Sequence, residues 1–323
     1  MIDKVSQEEV RDLSSKWEQL DLEVGKVVFG QSKVVARVAI GLLANGHILL
    51  EGVPGLAKTT LVKTVAKCVG LKFSRIQFTP DLLPSDVVGT VVFNPQKNEF
   101  YTRMGPIFAG VVLADEINRA PAKVQSALLE AMEENQVTIG NESYVLETPL
   151  IVLATQNPID QEGTYALPEA QVDRFMLKLL LSYPEREAER NMLITKFTST
   201  PLNQVLDKGD ILRSQEIVKR IFIDEKVVGY ILDIVAAGRG GLSNTRFGKV
   251  IRFGASPRAT LFLAIAAKAR AFLHKRAFVT PEDVKSIAPD VLRHRLVLTY
   301  EAEVDGLTPD AVIKSILDYI QSP

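Results

Sequence analysis

The chain of 323 residues is 46% hydrophobic and 24% charged, which excludes wholesale disorder, collagen-like repeats and a disulfide miniprotein and leaves material for about two domains. With 38 Lys and Arg against 39 Asp and Glu the net charge is −1, so no large basic face for nucleic acid is expected. The lone Cys68 cannot form an internal disulfide, the N-terminus is polar and acidic, and no apolar run reaches membrane-spanning length, so a cytoplasmic protein without membrane insertion is expected.

Residues 1–23 space Val10, Leu13, Trp17 and Leu20 among charges, which predicts an amphipathic helix packed on another part of the molecule. Five short apolar runs follow: His47–Glu51, Phe73–Phe78, Val111–Ala114, Leu150–Ala154 and Phe175–Leu181. Runs of this kind read as strands buried on both faces, hence a parallel sheet. Helical patterns lie between them. One starts near Pro121 and aligns Val124, Ala127, Leu128, Ala131 and Met132 at spacings of three and four. Gly89–Tyr101 and Gln136–Glu147 have β-rich arms around Asn94-Pro95 and Gly140-Asn141 and predict two inserted β-hairpins. Beyond Tyr183-Pro184 the texture turns helical, apart from a short hairpin expected around Arg246–Phe253. Ser256-Pro257, Thr280-Pro281 and Thr308-Pro309 each pair an N-cap residue with proline at the first helical position, and Thr280 with Asp283 forms a capping-box pattern. The expected organisation is an N-terminal helix over 1–24, an α/β domain over 25–183 and an α-helical domain over 184–323.

Two segments carry chemistry. Residues 51–60, EGVPGLAKTT, stand between the first strand and a helical pattern. Gly52 and Gly55 permit a tight turn close to an anion, and backbone N–H groups of the loop and helix N-terminus would point at phosphates. Val53, Pro54, Leu56, Ala57 and Thr60 complete the loop; Lys58 would reach the β- and γ-phosphates of ATP and the Thr59 hydroxyl would ligate Mg2+. Ala57 stands where the usual pattern has glycine. The third strand, VVLADE, ends in Asp115 and Glu116, at the strand end where ligands bind in α/β sheets. Asp115 is expected on Mg2+ and Glu116 as general base for an attacking water. Cys68 reads as a small core residue. His47, His274 and His294 are too scattered to suggest a metal site, and the basic stretches 246–252 and 268–276 read as a solvated or inter-subunit face.

The segments RIQFTPDLLPSDVVG (75–89), LADEINRAPAKVQSALLEAMEE (113–134), ATQNPIDQEGTYALPEAQVDRF (154–175), GASPRA (254–259) and VLRHRLVL (291–298) resemble the signature blocks of MoxR-family AAA+ ATPases, for which GxPGxAKT is the usual phosphate loop. The resemblance runs from about residue 25 to the end. It implies an α/β nucleotide-binding domain with two hairpin insertions, an all-α lid, and assembly into hexameric rings with ATP between subunits. Carried over by position, it implies Asn157 as the residue that orients water (sensor 1), Arg174 as a finger that reaches the neighbour's γ-phosphate, and Arg258 as the lid arginine (sensor 2) that couples the γ-phosphate to lid orientation. It places the adenine at Gly30-Gln31. Arg119 is an alternative finger, and Arg174 has an alternative as a surface partner of Asp173 or Glu169. The family implies a chaperone-like remodelling or maturation ATPase, with metal-cofactor insertion among its possible tasks, acting on client proteins with a von Willebrand factor A-type domain partner. A motor or loader on nucleic acid is the alternative, opposed by the near-neutral charge. A nucleotide switch without catalysis is opposed by the Asp115-Glu116 pair, and nothing hints at the acceptor site that a small-molecule kinase would need.

Overall fold

A computed structural model describes residues 5–157, 164–195, 201–240 and 247–323. Residues 158–163 of the resembling segment 154–175, and Arg246 of the expected hairpin, lie outside the described residues. In chain order the elements are α1 (Gln7–Gly25), α2 (Ser32–Leu43), β1 (Ile48–Glu51), α3 (Lys58–Cys68), β2 (Phe73–Gln77), α4 (Pro84–Val88), β3 (Gly89–Asn94), β4 (Glu99–Met104), β5 (Val111–Asp115), α5 (Ala122–Glu134), β6 (Gln136–Ile139), β7 (Glu142–Val145), β8 (Ile151–Gln156), α6 (Glu169–Val172) and β9 (Leu177–Leu180). The second part holds α7 (Arg186–Thr195), α8 (Lys208–Arg220), α9 (Glu225–Ala237), α10 (Phe247–Val250), β10 (Ile251–Phe253), α11 (Pro257–Leu273), α12 (Pro281–Leu292), β11 (Val297–Leu298), α13 (Tyr300–Val304) and α14 (Pro309–Tyr319).

The five apolar runs form one parallel sheet in the order β2-β5-β8-β1-β9. Alternation along the central strands divides the core between the two faces. Leu113, Ile151 and Leu153 pack on one side with α1, α2, α3 and the C-terminal helices, whereas Val112, Ala114, Val152 and Ala154 pack on the other with α5. Such strands must be apolar at every position, which is why their sequences read as unbroken runs. Cys68 is buried in the first of these cores, and burial pushes its thiol up to about 11.

Both expected hairpins are present, β3 with β4 and β6 with β7. They stack on one another: the Tyr144 hydroxyl lies 2.8 Å from that of Thr102. Beyond that contact Phe93 and Phe100 pair at the tip with centroids 5.0 Å apart, and both rings are exposed.

The three Pro-marked helix starts are all observed. Ser256 Oγ accepts the Arg258 N–H at 3.2 Å, and the Asp283 carboxylate accepts the Thr280 N–H at 2.8 Å. Among the described residues, the hairpin expected around Arg246–Phe253 is not formed. Residues 247–250 are a helical turn, and β10 pairs antiparallel with the remote β11. The basic stretch 268–276 is not a free face either. Arg270 and Arg276 both pair with the fully buried Asp283, Lys275 pairs with Glu18, and Lys268 donates to the Lys219 carbonyl.

Helix α1 packs as its pattern requires, burying Val10, Trp17 and Leu20. The Trp17 indole N–H donates to Ser214 Oγ on α8 at 3.0 Å, and Lys16 pairs with Asp210. The helix therefore straps α8 to the sheet-flanking helices α2 and α3. Among the described residues no helix is long and apolar enough to cross a membrane.

Candidate functional site

Strands β1, β5 and β8 end together, and their carboxyl ends face one cavity. The loop after β1 turns into α3 through two residues with positive φ, Gly55 at 88° and Ala57 at 56°. Ala57 thus adopts the left-handed conformation that glycine takes more readily. The Lys58 ammonium donates to the Gly52 carbonyl at 2.6 Å. Burial draws its pKa below the ordinary lysine value, while Asp115, Glu116 and Glu51 oppose the shift.

Pro54, Gly55, Leu56, Ala57, Lys58, Thr59 and Thr60 surround one cavity of about 330 Å³, together with Asp115, Glu116 and Asn157. The phosphate-loop, acidic-strand and sensor residues expected from sequence are thus brought together. Gly52 and Val53 do not line this cavity: Gly52 supplies its carbonyl to Lys58, and Val53 packs toward the core. A second cavity of about 310 Å³ shares Pro54–Ala57 and continues to Val28, Phe29, Gln31, Tyr183 and Met192. Gly30, at φ 73°, turns the chain beside it against Ala188 and Pro184.

Three residues that sequence reading missed organise the acidic pair. Thr155, on β8, donates its hydroxyl to Asp115 Oδ1 at 2.7 Å and accepts the Glu116 N–H at 2.8 Å. Arg75, on β2, pairs with Asp115 Oδ2 at 2.7 Å. Gln77 donates to Glu116 Oε2 at 3.1 Å, and Arg119 pairs with the same oxygen at 3.0 Å. Glu116 itself sits at φ 57°, ψ 51°, a conformation that costs a non-glycine residue about 1–3 kcal/mol. The polar alternation Arg75, Gln77 along an edge strand was the available signal. Thr59 hydroxyl and Asp115 carboxylate oxygens facing one cavity are a donor set of the hard, oxygen-only kind that suits Mg2+.

Arg174 and Arg258 lie elsewhere. Arg174 precedes β9 and Arg258 opens α11; both pair with Glu133, at the end of α5, at 3.0 and 2.6 Å. Asp173 and Glu169, the alternative partners expected for Arg174, are not the ones observed. The two arginines share a cleft with Asn45, Gly46 and His47, which precede β1. This is the edge where the strands begin, whereas Lys58 and Asp115 stand where they end. The four residues of β1 span roughly 13 Å. Arg258 therefore lies away from the phosphate loop of its own subunit, on the side where the strands begin. Arg119 lies on the phosphate-loop edge, bound to Glu116 of its own chain.

A family model described as the ATPase family associated with various cellular activities (AAA) matches residues 47–177, and an AAA lid domain model matches residues 243–316. The chain is 47% identical to the protein named Chaperone MoxR1 of Mycobacterium tuberculosis over 311 residues, 95% of this chain and 82% of that one. It is 30% identical to Protein MoxR of Methylorubrum extorquens over 335 residues, 97% of this chain and 96% of that one. A crystal structure of a candidate ATPase from Cytophaga hutchinsonii is similar, with TM-score 0.91 and 47% identity, covering 98% of this chain and 97% of that one. Agreement of this extent, sustained along 82% or more of each relative, leaves one assignment: the chain belongs to the MoxR family of AAA+ ATPases.

Proposed function

We propose that the chain binds Mg-ATP at the phosphate loop and hydrolyses it with help from a neighbouring subunit in a ring, hexameric by family resemblance. The observation that carries this reading is the division of charged groups between opposite sheet edges. Lys58, Thr59, Asp115, Glu116 and Asn157 stand at one edge; Arg174 and Arg258 stand at the other. A head-to-tail ring closes one subunit's first edge on the next subunit's second edge. Arg174 then acts as the finger in trans, Arg258 joins it from the same side, and Arg119 serves its own chain's Glu116. Thr59 and Asp115 would hold Mg2+, which neutralises charge on the β- and γ-phosphates. For that, Asp115 Oδ2 must leave Arg75. Glu116 accepts the proton of the attacking water, and Asn157 orients that water. The adenine lies along Gly30, Gln31 and Val28.

The work done with this energy is read as chaperone-like remodelling or maturation of client proteins, metal-cofactor insertion included, in the cytoplasm and with a von Willebrand factor A-type partner. The exposed Phe93–Phe100 tip gives the hairpins an apolar surface for a client. The match of an AAA lid domain model over residues 243–316 supports the reading of the helical part, placed at 184–323 after an N-terminal helix over 1–24 and a nucleotide-binding domain over 25–183, as a lid.

Two variants test the site. Lys58→Ala should abolish ATP binding in a calorimetric titration; retained micromolar affinity would contradict the phosphate-loop reading. Glu116→Gln should bind ATP yet lose about 10²–10⁴ in kcat, the usual worth of a general base. Unchanged turnover would remove Glu116 from that role. A pull-down from native lysate with Glu116→Gln in ATP, against Lys58→Ala, tests the client reading: a von Willebrand A-type protein or an unmatured enzyme in the trapped eluate supports it, and nucleic acid alone opposes it.

A further inference from the structure

Arg293, His294 and Arg295 follow α12 directly, and all three reach back to the segment that carries Arg174. Arg293 Nη1 donates to the Lys178 carbonyl, and His294 Nε2 lies 3.0 Å from the Phe175 carbonyl oxygen. Arg295 is the centre of the cluster, with a side chain 1% exposed. Its Nε donates to Asp173 Oδ1 at 2.7 Å. Its Nη2 donates to the carbonyls of Asp173 and Phe175, both at 2.7 Å. Its Nη1 donates to the Met176 carbonyl at 3.3 Å and to the Val291 carbonyl of α12, and lies 2.6 Å from His294 Nε2. A guanidinium has five N–H donors in a rigid plane, and these acceptors take all five. The Phe262 ring, from α11, covers the group at 5.1 Å.

The peptide carbonyls on either side of Arg174 are therefore held by one buried side chain. The Asp173 carboxylate also accepts from Ser256 Oγ, the N-cap of α11, at 2.9 Å, and meets Arg258 at 3.5 Å. Two helices of the C-terminal part thus converge on the residue before Arg174. We infer that Arg295 is a positioning residue: it sets the backbone that aims Arg174, so that the orientation of α11 and α12 reaches the neighbour's site through this contact. The inference rests on the reading of Arg174 as a finger in trans.

Lysine keeps the charge but has three donors on one atom and cannot bridge a carboxylate and four separated carbonyls. In Arg295→Lys, kcat should fall on the order of 10²-fold, as for a misplaced catalytic group, while ATP affinity and ring assembly match wild type, because the phosphate loop lies at the other edge. In mixed rings, Arg295→Lys subunits with Lys58→Ala subunits should recover turnover, since each supplies what the other lacks. Mixed with Arg174→Ala subunits they should not. If Arg174→Ala is inactive and folded Arg295→Lys rings turn over at the wild-type rate, the inference is overturned. The same holds if Lys58→Ala subunits fail to rescue them. Full activity of Arg174→Ala would instead remove the finger reading itself. Should Arg295→Lys not accumulate as folded rings, Asp173→Asn removes the charged acceptor at nearly the same volume. It should show the same loss of kcat and the same pattern of rescue, and wild-type turnover in that variant overturns the inference.

Discussion

His47 shows how one side chain links the core to the arginine cleft. Its Nε2 faces the Met132 carbonyl at 3.2 Å, and its Nδ1 accepts the Val152 N–H at 3.1 Å. Both contacts suit the neutral ring, and burial lowers its pKa from 6.5 to about 4. Above pH 6.5 neither the folded nor the unfolded chain is protonated there. Between pH 6.5 and about 4 the unfolded chain takes up a proton that the fold refuses, so stability falls by about 1.4 kcal/mol per pH unit. In His47→Gln, the pH dependence of unfolding free energy over this window should be shallower by about one proton; an unaltered slope in denaturant titrations would contradict the assignment. The same scale shows what could be read beforehand. Asn157 came from the family resemblance, whereas Lys58, Thr59, Asp115 and Glu116 were legible because each stands beside a turn or strand end whose context is local. Arg75, Gln77 and Thr155 were not, because their role depends on which strands lie beside β5.

At the scale of elements, strands and helix starts were legible for a related reason. An apolar run or a Ser/Thr-Pro pair encodes its own local structure. The pairing of β10 with β11 joins residues more than forty positions apart, and no local pattern announces it, so the apolar residues near 251 read as a hairpin instead. The hairpin bases make a firmer case. Gly89 sits at φ 112°, and a Cβ there would meet the Arg103 carbonyl oxygen at 2.4 Å and the Gly105 nitrogen at 2.7 Å. Both neighbours are backbone and cannot rotate away. Gly89→Ala should therefore destabilise the β3–β4 hairpin by about 1–3 kcal/mol. Hydrogen exchange of the β3 and β4 amides is the direct check: unchanged protection would show that the base tolerates the Cβ.

Across the whole molecule, the placement of Arg258 was the reading that sequence could not supply. Its position at the start of α11 was correct; which sheet edge that start faces depends on how the helical part docks, through Asp173, Arg295 and Glu133. If the catalytic groups are divided as proposed, Arg174→Ala rings should be inactive, and mixing them with inactive Lys58→Ala subunits should restore turnover at one class of interface. The loss from removing such a finger is typically about 10³–10⁵ in kcat. No recovery in verified mixed rings would count against action in trans.

The separation of the two edges by the length of β1 also bears on inheritance. On the reading of Arg174 as a finger in trans, a chain with a damaged phosphate loop empties only its own pocket. A chain with a damaged second edge, at Arg174 or at the contacts that aim it, silences a healthy neighbour while its own pocket stays full. Either lesion therefore costs a mixed ring one site per altered subunit, so in a cell carrying both alleles the two should lower turnover alike; they differ in that the silent pocket is empty after a phosphate-loop lesion and filled with ATP after a lesion near Arg174.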